Sequence, residues 1–120
     1  MTEQNMPNQT DPHAVNLHRE IARLHEKASS SAARRASDTL YGGRETVLRQ
    51  TLIVLLADAD LAPHDAPPEA TLQVISGRVE LVTALKSWTL ETGDLMSIPQ
   101  ERHSVHALDD SAFVLTVRRA

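Results

Sequence analysis

The chain has 120 residues, 41% of them hydrophobic and 23% charged, with a net charge of −4. That size and balance fit one soluble globular domain with a modest core. Three aromatic residues (Tyr41, Trp88 and Phe113) are too few for a base-stacking platform, and the absence of cysteine excludes disulfides and thiolate metal sites.

Residues 1–10, rich in Asn, Gln and Thr, read as a flexible polar tail. The segment MTEQNMPNQTDPH lacks the apolar core of a secretory signal, so a cytoplasmic location is expected. Asp11 suits a helix N-cap and Pro12 the first helical position, where its missing N–H costs nothing. Ala14, Leu17, Ile21, Leu24 and Ala28 then recur at helical spacing and predict an amphipathic helix. Ala32 to Ala36 could continue or restart it, and Gly42-Gly43 closes an N-terminal helical segment over 11–43. A stripe this narrow does not hold a helix in water by itself. It must cover the adjoining domain or a partner subunit.

From residue 44 to 120 the pattern is that of short strands. TVLRQTLIVLLA contains a long apolar strand over Val47 to Ala57, and its apolar run is far too short to span a bilayer. Pro63, Pro67 and Pro68 mark a loop. Thr71 to Ile75 and Arg78 to Thr83 flank Ser76-Gly77 as a hairpin would. Ser87 to Leu90, Leu95 to Ile98, Ser104 to Leu108 and Ala112 to Val117 complete the set. Turns at regular spacing predict an all-β antiparallel barrel or jelly roll. Residues 51–120 carry five Lys/Arg against ten Asp/Glu, which argues against a nucleic-acid partner for this part.

Two histidines frame the middle of this region in LAPHDAPPEATLQVISGRVEL and KSWTLETGDLMSIPQERHSV. The segment resembles the paired motifs of small single-domain, RmlC-like cupins of the cupin-2 type. The first cupin motif runs glycine, His-x-His, a glutamate, then a glycine seven residues on. His64 matches its first histidine and Gly77 its closing glycine, while Ala66 and Ala70 occupy the second-histidine and glutamate places. The second motif runs glycine, five residues, proline, histidine. Gly93, Pro99 and His103 match it, His103 one residue early. The resemblance covers about residues 45–118. It implies a cupin barrel and a homodimer, with His64 and His103 the ligands of a divalent metal if one is held.

Strand alternation defines a candidate pocket. If His103 points inward, so does Val105, and His106 points outward. If Ala70 points inward, so do Leu72 and Val74, and Glu69 does not. The expected ligand pocket is therefore His64, Ala66, Ala70, Leu72, Val74, His103 and Val105, apolar apart from its two imidazoles. A metal usually needs a third or fourth ligand.

Other candidates carry less. His18 and His25 lie seven apart on the helix, without the four-residue spacing of a metal clip. Arg34-Arg35 and Arg118-Arg119 are short for a nucleic-acid footprint. Asp58, Asp60 and Asp65 lack the glycine and distal glutamate of a calcium loop. Three functions fit these residues: a cupin that binds a small molecule, a metal-dependent dioxygenase, isomerase or lyase using His64 and His103, and a regulatory or interaction protein working through its helix. No helix-turn-helix pair supports a DNA-reading form of the third.

Overall fold

The computed structural model describes residues 13–119. The expected tail and the Asp11-Pro12 helix start lie outside them. Among the described residues one helix, α1 (Leu17–Ser29), precedes nine strands: β1 (Arg35–Tyr41), β2 (Leu48–Leu55), β3 (Asp60–His64), β4 (Glu69–Ser76), β5 (Arg78–Thr83), β6 (Ser87–Glu91), β7 (Leu95–Ser97), β8 (His103–Ala107) and β9 (Ser111–Arg118). All pairings are antiparallel. The strands form a five-stranded sheet in the order β1-β2-β9-β4-β7 and a four-stranded sheet in the order β3-β8-β5-β6. The two sheets form a jelly roll and are not joined into a closed hydrogen-bonded barrel.

The core fills the space between the sheets. Ile53, Leu55, Leu72, Val74, Val79, Leu81, Val105 and Phe113 pack there, all buried. On the outer face of the five-stranded sheet, Leu24 and Ala28 of α1 meet Leu52, Val54, Leu56, Ala112 and Val114. Leu17 and Ile21 pack at the margin of that cluster, so the stripe read from the sequence covers this chain's own sheet. Asn16 caps the helix, its side-chain oxygen accepting from the Arg19 N–H at 2.9 Å. Arg23 then bridges Glu20 on the helix, at 2.7 Å, and Asp38 on β1, at 2.5 Å.

Three expectations change. Residues 35–41 do not continue the helix but form β1, so the sheet begins before residue 44. Ala36 and Leu40, the half-buried residues of this strand, are four apart, a spacing that one helix face and one strand face share. Arg34, at φ 58°, separates the two elements. Second, the proline-marked loop contains β3, paired with β8. Pro63 falls within the register shift between Leu61 and His64, where the ladder does not require its missing N–H.

Third, Ser76-Gly77 is not a hairpin turn. β4 and β5 lie in different sheets, and the chain crosses between them at Gly77. Gly77 has φ +86°, and a Cβ there would lie 2.3 Å from the Asp110 carbonyl oxygen and 2.7 Å from Ser111 Cα. The buried Ser111 hydroxyl accepts from the Arg78 N–H at 3.0 Å and lies 2.9 Å from the Arg78 carbonyl, closing the crossing.

Two ionic contacts tie outlying elements down. Asp110 accepts from the Ala57 N–H at 2.8 Å and contacts His25 of α1 at 3.3 Å. The Ala57 hydrogen bond first, and His25 second, hold its carboxyl below the usual range. His106, on the outward face of β8, bonds Asp60 of β3 at 2.7 Å, which raises its pKa above the ordinary histidine value.

Gly77→Ala is expected to cost about 2–5 kcal/mol, the left-handed backbone penalty plus backbone overpacking. Gly93 has φ +93° with open space around its Cβ position, so Gly93→Ala should cost only the backbone part, about 1–2 kcal/mol. Denaturant unfolding of both variants checks the contrast, and equal losses would contradict the crossing-point account. The His106–Asp60 pair should stabilise the fold fully below the unfolded histidine pKa of about 6.5 and lose that contribution as pH rises through the raised folded value. NMR titration of the His106 ring should give a midpoint above about 6.5, returning towards it in Asp60→Asn.

Candidate functional site

The register places the candidate residues at one end of the sandwich. In the four-stranded sheet, His103 lies between His64 on β3 and Thr83 on β5. One layer deeper, Val105 lies between Leu61 and Leu81, and below that Ala107 pairs with Val79. In the facing sheet the inward layers run from Ile53–Phe113–Val74, through Thr51–Leu115–Leu72, to Arg49–Val117–Ala70. Both sheets therefore become more polar towards the same end.

The two histidines come together there. Their ring centroids are 4.4 Å apart, edge to face. His103 is buried at 4% exposure and His64 is half-buried. His64 Nδ1 lies 2.9 Å from the Ala62 carbonyl and His103 Nδ1 2.9 Å from the Glu101 carbonyl. A carbonyl only accepts, so each Nδ1 carries the proton and donates. In the neutral ring Nε2 is then left with its lone pair.

The segment between Pro99 and His103 holds the opposing loop in place. Gln100 donates to the Pro67 and Pro68 carbonyls at 2.8 and 3.0 Å. Arg102 donates to the Pro63 carbonyl at 3.0 Å and contacts Asp65 at 3.3 Å. The loop after His64 is thus fastened to the strand that carries His103.

The remaining candidate residues divide by depth. Leu72, Val74 and Val105 expose 1%, 0% and 2% of their surface and form the packed floor. Ala66 and Ala70 are half-buried against the same core. Glu69 faces outward and pairs with Arg118 at 2.6 Å. His106 faces the acidic groups Asp60 and Asp58, away from the pair.

The donor set can be tested against a divalent metal. Such an ion takes three or four protein ligands in its usual sites. Among the described residues no group of three His, Cys, Asp or Glu converges, and the alanines at 66 and 70 supply no donor. The residues present do not fit the metal centre that the motif resemblance would imply.

Arg49 is the residue that sequence reading passed over. It shares an inward layer with Val117 and Ala70, at the histidine end. Its Nε is buried and makes no hydrogen bond, the one such side-chain nitrogen or oxygen among the described residues. An unmet buried donor costs about 1–3 kcal/mol, more when charged. The signal was its phase: Arg49 stands four residues before Ile53 and six before Leu55, the inward residues of β2.

No helix of the described residues is long and apolar enough to cross a membrane. No family model matches this sequence, and no curated protein matches it. Solved structures do. A cupin-2 domain containing protein from Shewanella frigidimarina superposes with a TM-score of 0.67 at 13% identity, over 89% of this chain and 96% of that one. An RmlC-like cupin protein from Desulfovibrio desulfuricans gives 0.64 at 16% identity, over 98% and 96%. A conserved protein of unknown function from Streptococcus pyogenes gives 0.66 at 20% identity, over 75% and 78%. Likeness at these identities is one of architecture, and the architecture of this chain is the cupin fold.

Proposed function

We propose that this protein is a small-molecule-binding cupin whose ligand enters at the end carrying His64 and His103, and that it does so without a tightly held metal. One observation carries this reading: two imidazoles 4.4 Å apart with both Nδ1 atoms committed to backbone carbonyls. Their Nε2 atoms remain to accept a hydrogen bond from a ligand hydroxyl or amine. Ala66 and Ala70, half-buried against the core, present only methyl groups where the cupin motif carries a histidine and a glutamate. The apolar floor of Leu72, Val74 and Val105 favours a ligand with a hydrocarbon body.

Full-length protein purified without an affinity tag should contain substoichiometric iron, manganese and zinc. Benzyl alcohol, a neutral probe, should shift the ring signals of His64 and His103 in NMR spectra and leave those of His18 and His25 in place. A stoichiometric metal, lost in both His64→Ala and His103→Ala, would overturn the proposal.

A further inference from the structure

We infer that the ligand of this end of the sandwich is a small organic monocarboxylate with an apolar body, its carboxylate held by Arg49. The inference rests on the binding-site reading above and adds the chemical class. Arg49 leaves β2 on the inner face, in the layer it shares with Val117 and Ala70. The Ile98 N–H bonds the Ala70 carbonyl at 2.9 Å and extends that layer, apolar apart from the guanidinium.

The guanidinium has a buried, unbonded Nε. Two acidic residues at this end are paired with other arginines. Glu69 is bonded to Arg118 on the outer face, and Asp65 contacts Arg102 on the loop. Arg119 donates to the Gly43 and Thr46 carbonyls at the edge of β2. Arg49 is thus a permanent cation on an inner, largely apolar surface. An arginine fork matches a carboxylate with two parallel N–H···O bonds. One fixed positive charge balances a monoanion and undercompensates a phosphate dianion. The Nε2 atoms of the histidine pair, at the same end, would accept from a donor elsewhere on the ligand.

The alternative is that Arg49 is structural, its stem covering apolar surface while its tip reaches water. Methionine keeps that apolar cover, so a structural arginine of this kind would leave carboxylate binding unchanged when replaced by methionine. A ligand-holding one would lose it.

The test uses the full chain, isotope-labelled, titrated at constant ionic strength with sodium benzoate, sodium hexanoate, benzyl alcohol and inorganic phosphate. The Arg49 Nε–H signal and the ring signals of His64 and His103 are read together. We expect a carboxylate to move all three. Arg49→Met should weaken that binding about 10- to 100-fold, the range of a hydrogen bond to a charged group, with no loss of melting temperature. Arg49→Lys, which keeps the stem and charge without the fork, should fall between and serves if the methionine variant does not fold. Carboxylates binding no better than benzyl alcohol, or binding unchanged in both variants, would overturn the inference and leave the binding site standing. Phosphate binding more tightly than either carboxylate would overturn the monoanion. If no probe, neutral ones included, moves the histidine rings, the inference and the binding-site reading fall together.

Discussion

The structure depends on one sheet being covered twice. β2 and β9 lie side by side near the middle of the five-stranded sheet, and their side chains alternate between two apolar environments. Ile53, Leu55 and Phe113 face the second sheet, while Leu52, Val54, Ala112 and Val114 face the helix. Each fully buried aliphatic side chain contributes roughly 1.5–3 kcal/mol. Without α1, one whole face of this sheet would present that surface to water. The uninterrupted burial from Leu52 to Leu56 is the direct consequence, because a strand covered on both faces has no polar side to alternate with.

The same alternation builds the candidate site. Along β2 the inward positions pass from Leu55 and Ile53 through Thr51 to Arg49. Along β8, in the other sheet, they pass from Ala107 and Val105 to His103. These gradients run towards the same end because the crossing at Gly77 leaves Val74 and Val79 together at the other. The crossing is tight, with Gly77 against the backbone of Asp110 and Ser111. The register that brings His103 beside His64 and opposite Arg49's layer thus begins at a glycine remote from all three. At the polar end, Gln100 and Arg102 fix the loop that follows His64.

The chemistry of this end differs from what its motifs suggest taken as a pattern. A metal centre is made by donor count, and alanine at 66 and 70 reduces that count. A binding site for an organic molecule is made by shape, apolar lining and a few placed polar groups. The proposed site would draw on the paired imidazoles and the unbonded Arg49 Nε, beside the buried Leu72, Val74 and Val105.

Much of the fold was legible in the sequence. The helical stripe from Leu17 to Ala28, the strands from β4 to β9 and the inward phase of Val105 and outward phase of Glu69 and His106 all follow from periodicity, which depends only on local backbone geometry. Periodicity failed where it is degenerate: Ala36 and Leu40 fit a helix and a strand equally well. Turn chemistry failed at Ser76-Gly77, because the residues that make a hairpin also make a crossing between sheets. The contact between the His64 and His103 rings and the buried, unbonded state of the Arg49 Nε required the tertiary structure. Those properties arise from strands distant in sequence meeting in register, and no local pattern carries information about which distant strand will lie opposite. The sequence by itself determined α1, β2 and the strands from β4 to β9, the faces of those elements and the likeness to cupins, because each rests on local periodicity; the packing of two sheets decided the places of β1 and β3 and which polar residues share an end.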